Sequence, residues 1–166
     1  MTLTIRSAEE RDLPRLTDIY NHYVETTAIT FDIDRYDVES RKPWFAQFGA
    51  SGRYRLFVAE RNGVVLGYAG TTSFRAKHAY ETTVEATVYC APDATGQGIG
   101  RSLFDVLWKA LEGEDVRCAM AGITLPNEPS IKLHERFGFR LSGVMHEVGR
   151  KLGRYWDVAW YEKRLG

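Results

Sequence analysis

Cysteine is scarce in the 166-residue chain: only Cys90 and Cys118 occur, both in apolar stretches. That excludes a disulfide framework, and two buried thiols in a reducing compartment are expected. Charge of one sign is lacking too, since 22 Lys and Arg stand against 22 Asp and Glu. Without a broad positive field no nucleic-acid partner is expected, and any phosphate binding must be local. No segment approaches the roughly 20 apolar residues of a membrane span. The opening Met1-Thr2-Leu3-Thr4-Ile5-Arg6 has no apolar core of signal-peptide length, so a cytoplasmic protein with no membrane partner is expected. What remains, 44% apolar and 27% charged residues spread without runs, is the profile of one globular domain over residues 1–166.

The pattern along the chain alternates strands and helices. Thr2 to Arg6 reads as a first strand, Ser7-Ala8-Glu9-Glu10 as a capping box, and Leu13, Leu16, Ile19, Tyr20 and Tyr23 as one face of a helix. Asp37 is an N-cap candidate for a second helical piece running toward Phe48, with Pro43 inside it. Arg61-Asn62-Gly63 between apolar runs predicts a hairpin joining strands over 55–60 and 64–73. Thr82 to Cys90 predicts a longer strand, and Leu103, Val106, Leu107, Ala110 and Leu111 an amphipathic helix. Cys118 to Thr124 has the near-continuous apolar character of a strand covered on both faces. A helix over 129–137 closed by Gly138, then strands over 141–147 and 155–163 around turns at Gly149 and Gly153, complete the chain. The fold class expected is a mixed α/β sheet of about six to seven strands with helices on both faces.

Between the 82–90 strand and the following helix lies Thr95-Gly96-Gln97-Gly98-Ile99-Gly100-Arg101-Ser102. Glycines there let the backbone approach a ligand, and free N–H groups at a helix start attract phosphate, so a pyrophosphate fits on the amides of Gly96, Gln97, Gly98, Ile99, Gly100 and Arg101. A Walker loop needs Gly-Lys-Ser/Thr where this chain has Gly100-Arg101-Ser102. The dinucleotide pattern fails as well, because counting from Gly96 or Gly98 puts Arg101 or Leu103 where its last glycine belongs.

Strand, Gly-Gln-Gly-Ile-Gly-Arg turn and helix resemble the coenzyme A pyrophosphate motif of the GNAT acetyltransferases, with Thr95 where that motif usually has Arg or Gln. Asn127-Glu128-Pro129-Ser130 and His134-Glu135-Arg136-Phe137-Gly138-Phe139 resemble the late motif of the same family, with His134 at the position of a usual Tyr. The stretches Ile19 to Thr26, Ala79 to Tyr89, Leu125 to Ser130 and Trp156-Asp157-Val158 are similar to the subfamily that acetylates phosphinothricin, methionine sulfoximine and methionine sulfone. The resemblance implies acetyl-coenzyme A as co-substrate with no metal, cofactor contacts at Asn127 and Ser130, and a homodimer. It also places substrate contacts at Arg75, Ala76 and Lys77 and at Glu85, Ala86 and Thr87.

The residues support this independently. Val84, Ala86 and Val88 point to one face of their strand, Glu85, Thr87 and Tyr89 to the other. A mid-strand carboxylate is costly in a covered sheet unless paired, hydrated or used, and this strand leads into the glycine turn. Glu85 is therefore the expected general base that deprotonates the acceptor amine, with strand N–H groups around Val88, Tyr89 and Cys90 as the oxyanion site. Nothing beside Cys90 would activate it as a nucleophile. His134, one helical turn after Ser130, suits an acid or relay, or simply a local hydrogen bond. Arg75 and Lys77 suit an anionic acceptor, and Phe31 and Trp156 suit apolar walls. The competing readings are another amine, such as a protein N-terminus, a polyamine or an aminoglycoside, and a non-catalytic acyl-coenzyme A sensor.

Overall fold

The structure, a computed structural model, describes residues 2–166. Seven strands form one sheet: β1 Thr4–Ser7, β2 Leu56–Arg61, β3 Val64–Ser73, β4 Thr83–Cys90, β5 Cys118–Thr124, β6 Arg140–Lys151 and β7 Arg154–Arg164. Their order across the sheet is β1-β2-β3-β4-β5-β7-β6. β4 and β5 run parallel, and each of the other neighbouring pairs is antiparallel. The α-helices of the described residues are α1 Leu13–Thr26, α2 Val38–Phe45, α3 Ile99–Ala110 and α4 Glu128–Arg136.

Alternation along β3 and β4 sorts the helices onto two faces. Tyr68 and Tyr89 point toward α1 and α2, with Tyr20 5.4 Å from Tyr89 and Trp44 5.8 Å from Tyr68 between ring centroids. On the other face Gly67 meets Ile99 of α3, and Gly100 packs between Val88 and Leu133 of α4. Leu103, Phe104 and Leu107 of α3 are fully buried there, as are Leu16 and Ile19 of α1 on the opposite side.

Several turns are set by local chemistry. Asn62 (φ 54°) and Gly63 (φ 76°) give the left-handed pair that a two-residue hairpin needs. Asp37 caps α2 by accepting the Ser40 N–H at 2.7 Å. Other expectations are corrected. Ser7 belongs to β1, and the reciprocal cap forms later, where the Glu9 N–H donates to the Asp12 carboxylate at 2.8 Å. Gly149 is no turn: it lies within β6, where a Cβ would stand 2.2 Å from the Phe31 ring, so close packing rather than chain reversal requires glycine. The final hairpin turns at Leu152-Gly153 alone (φ 53° and 74°). β5 is not covered on both faces, since Ala119, Ala121 and Ile123 are buried while Gly122 is exposed on the other side. Cys90 and Cys118 are free and only half-buried.

One ion cluster ties β1 to the start of α1. Arg6 grips the buried Asp12 with two nitrogens, at 2.7 and 2.9 Å, and its Nε donates to Glu60 of β2 at 3.0 Å. Burial works against the charge on Asp12, but Arg6 and the Glu9 N–H together hold its carboxyl below the usual range.

Candidate active site

The site begins where two parallel strands separate. β4 and β5 pair only at Thr83–Cys118, Val84–Ala119 and Glu85–Met120. Beyond Glu85 the strands part, and β5 continues in register with β7 as far as Thr124. The Arg117 N–H donates to the Thr82 carbonyl on the β5 side, and the Ala91 N–H to Leu66 on the β3 side, each at 2.8 Å. Antiparallel pairing then gives the odd-numbered residues of β4 to β3 and turns the N–H groups of Val88 and Cys90 toward the gap.

The gap is a narrow opening of about 50 Å³, lined by Val88, Ile123, Asn127, Ser130 and His134 on the α3 and α4 side. On the α1 side a cavity of about 430 Å³ contains Glu85, Tyr20, Phe31, Met145, Val158 and Trp160. The two share Ile29, Ala86, Thr87, Tyr89, Gly122 and Thr124, so the slit connects both faces of the sheet. A Cβ on Gly122 would stand 3.2 Å from the Trp160 ring, which is why the strand carries glycine beside that wall.

At the end of β4 the glycine turn delivers α3. Gly96 (φ 74°) and Gly98 (φ 76°), the N-cap, are left-handed, exposed, and have open space where a Cβ would be. The first α3 bond is Ser102 N–H to the Gly98 carbonyl at 3.1 Å, which leaves the N–H groups of Ile99, Gly100 and Arg101 without a partner inside the helix, at the positive end of its dipole, with that of Gly100 directed at the Cys90 thiol. That is the chemistry a diphosphate requires. The third glycine differs from the sequence expectation: Gly100 is inside the helix, where a Cβ would lie 3.1 Å from Leu133, so it serves α3–α4 packing as well as donating its N–H. Gln97 turns its side chain away, toward Arg61 (3.0 Å) and the Asp93 carbonyl (3.2 Å). Asn127 caps α4 by accepting the Ser130 N–H at 3.3 Å, which sets both residues at the opening.

Glu85 is half-buried, burial pushes its carboxyl up, and among the described residues no cation pairs with it. His134 is buried between Phe104 and Phe139, and its Nδ1 lies 2.7 Å from the Ser130 carbonyl. A carbonyl only accepts, so Nδ1 carries the proton and Nε2 is left as an acceptor. Burial lowers the His134 pKa, with the bond to Ser130 opposing it, which favours the neutral ring. Cys90 accompanies Tyr23, whose hydroxyl donates to the Cys90 carbonyl, and burial pushes the Cys90 thiol up, away from nucleophilic use.

Some expected residues lie elsewhere. Arg75, Ala76 and Lys77 are exposed and line none of these cavities; Arg75 rests over Phe74 (4.9 Å) and Tyr80 (5.6 Å), with Phe74 in turn against Trp160. Trp156 is not a wall of the cavity, since its indole N–H donates to the Lys151 carbonyl and Arg154 covers its ring; Trp160 takes that place. Sequence reasoning missed Asp32 and Arg41, which share a further cavity with Tyr20, Tyr68 and Tyr89. An Arg one helical turn before Trp44 looks like any surface cation, so no signal in the sequence marked it. Among the described residues no cluster of three metal-ligating side chains occurs, and no helix is long and apolar enough to cross a membrane.

The family profile for the acetyltransferase (GNAT) domain matches residues 5–160. A phosphinothricin N-acetyltransferase of Streptomyces coelicolor is 53% identical over 97% of this chain and 95% of its own length. An L-methionine sulfoximine/L-methionine sulfone acetyltransferase of Salmonella typhimurium is 36% identical over 98% of this chain and 95% of its own. The crystal structure of a GNAT superfamily phosphinothricin acetyltransferase of Sinorhizobium meliloti, in complex with acetyl-coenzyme A, superposes with a TM-score of 0.91 at 35% identity, covering 100% of this chain and 90% of that one. The chain belongs to the GNAT acetyltransferase family, an acyltransferase whose acetyl donor is acetyl-coenzyme A.

Proposed function

We propose that this acetyltransferase acts on the α-amino group of a small amino-acid analogue, with L-phosphinothricin, L-methionine sulfoximine and L-methionine sulfone as acceptors. The observation that carries the reading is Glu85: an unpaired carboxylate, partly desolvated, at the residue where β4 and β5 part, on the wall of a cavity of about 430 Å³ that opens into the slit. A cavity of that size suits a small molecule. The names of the Streptomyces and Salmonella relatives support the acceptor class.

Acetyl-coenzyme A supplies the activated acetyl group when bound. The amides from Gly96 to Arg101 would hold its diphosphate, and Asn127 and Ser130 its arm at the opening. An amino acid's amine is mostly protonated near neutrality, so Glu85 takes a proton from the nitrogen, directly or through water, before attack. The raised pKa of Glu85 makes its ionised form a better base than an exposed carboxylate. The N–H groups of Val88 and Cys90 face the slit and are the donors for the charge that develops on the acyl oxygen. Held neutral with Nε2 free, His134 acts as a proton acceptor and relay rather than as an acid. Direct transfer in a ternary complex follows, because no nucleophile in the site is activated to carry the acetyl group.

Ala86 and Thr87 line the acceptor path, and the exposed Arg75, which rests over Phe74 where that ring meets Trp160 of the cavity wall, adds with Lys77 positive charge that attracts an anionic substrate. Exposed Leu141, Met145, Val148, Leu152 and Tyr155 on the β6–β7 hairpin support pairing of two copies there, which sedimentation would test. Thiol release from acetyl-coenzyme A is the direct assay of the function, run against the three named compounds, free methionine, a short peptide and an aminoglycoside. Turnover confined to the first three supports the assignment. Activity only on the peptide or aminoglycoside keeps the family and overturns the acceptor, and silence with retained binding of acetyl-coenzyme A favours a sensor.

A further inference from the structure

Arg41 of α2 is a buried cation that nothing above employs. Only 6% of it is exposed. Its guanidinium carbon lies 3.8 Å from the Trp44 ring centroid, 4.4 Å from that of Tyr20 and 5.4 Å from that of Tyr36. Aromatic faces make such burial tolerable, but they meet the flat faces of a guanidinium, and along its N–H edge the Tyr68 hydroxyl is a neutral partner that leaves the charge unmatched. A buried charge is ordinarily matched by a carboxylate, since an unmatched one is costly. None matches this one: Arg41 takes part in none of the ion pairs among the described residues. Its Nε is buried with no hydrogen-bond partner. Asp32 lines the same cavity, but its carboxylate is engaged by the hydroxyls of Tyr20 and Tyr36.

The cavity beside Arg41, about 260 Å³, shares Tyr20, Thr87 and Tyr89 with the Glu85 cavity. A small molecule can therefore touch Arg41 at one end and the slit at the other. The guanidinium edge offers two parallel N–H donors, a geometry that fits a carboxylate and that lysine does not reproduce. We propose that Arg41 binds the α-carboxylate of the acceptor amino acid and so turns its amine toward Glu85 and the slit. The residue thereby selects amino acids over simple amines. This rests on the reading of the acceptor as an amino acid.

The test compares L-methionine sulfone with its α-carboxamide, as kcat/KM with the wild type, R41Q and R41K, alongside acetyl-coenzyme A affinity by calorimetry as a check of folding. The amide's amine is less basic than the acid's, so only the change in the acid-to-amide ratio between proteins is read. In R41Q the ratio should fall about 100-fold or more, because the carboxylate loses a buried charged partner. R41K should restore part of it through charge without the bidentate edge. Equal losses for acid and amide would make Arg41 a packing residue and overturn the proposal. If R41Q no longer binds acetyl-coenzyme A, the R41K ratio decides, and an unchanged ratio there overturns it equally. A wild type that acetylates no amino acid removes the acceptor assignment and this inference together, whereas an active wild type with an unaltered ratio in the variants removes only the inference.

Discussion

Glu85 and Met120 are the last residues to face each other across the parallel β4–β5 ladder, and the side chain at that final rung is a carboxylate with which no cation pairs among the described residues. One residue thus marks both the end of pairing and the start of chemistry.

Replacing it by glutamine should lower kcat by about 100-fold or more while acetyl-coenzyme A affinity, measured by calorimetry, is retained. In the wild type, kcat/KM should climb with pH through a pKa above the usual carboxylate value, because the base works only when ionised. A variant with undiminished turnover would remove Glu85 from the reaction.

The same carboxyl has a stability signature. Its folded pKa is raised, so the folded state holds the proton more tightly than the unfolded one, and stability falls as pH rises through the folded pKa. Glu85→Gln should therefore melt higher than the wild type at pH 7, with the difference vanishing below about pH 4. Thermal melts at the two pH values check this.

Asp12 runs the opposite way. Its pKa is depressed, so the stability it contributes is present above the unfolded carboxylate pKa and is lost as pH falls through the folded one. Asp12→Asn leaves Arg6 with Glu60 and the more distant Glu9 but without its buried bidentate partner, and should cost about 3 kcal/mol, the size expected for breaking a buried pair. Urea unfolding at pH 7 gives the number, and an acid shift of the wild type's stability curve gives the sign.

Gly98 is left-handed at the cap of α3, where a β-carbon is strained even though nothing crowds it. Gly98→Ala should destabilise the fold by about 1 kcal/mol and weaken acetyl-coenzyme A binding more than it weakens any acceptor's KM. Gly100→Ala should act through Leu133 instead, with a smaller effect on the coenzyme.

His134 supplies a spectroscopic check. Nitrogen-15 shifts of its ring should report the Nδ1–H form at neutral pH and a pKa below 6.5. A protonated ring at pH 7 would contradict the relay role.

Much of this was legible beforehand where the cause is local. Asn62-Gly63, the Asp37 cap and the left-handed glycines at 96 and 98 act through their own backbone, so neighbouring residues reveal them. The role of Gly149 was misread, and the packing role of Gly100 went unseen, because the atoms that exclude a side chain come from Phe31 and Leu133, far along the chain. Alternation placed Glu85, Thr87 and Tyr89 on one face correctly, but it could not say which tryptophan of β7 meets that face beside Gly122, and Trp160 does. The parting of β4 from β5 left no trace in composition, since an unmade pair has no residue type. Arg41 was invisible for a related reason, as its burial depends on rings from α1 and the loop after it.

The slit that joins the two faces of the sheet has a consequence for change over time. Donor chemistry hangs on α3, α4 and backbone amides, whereas the opposite face is finished by side chains such as Phe31, Met145 and Trp160. The two halves meet at a window bordered by shared residues such as Ala86, Thr87 and Gly122, so the outer walls of the second can be recut, residue by residue, while that window and the first half are left alone. A scaffold divided in this way can be retargeted to new amines by mutations confined to one side of one sheet.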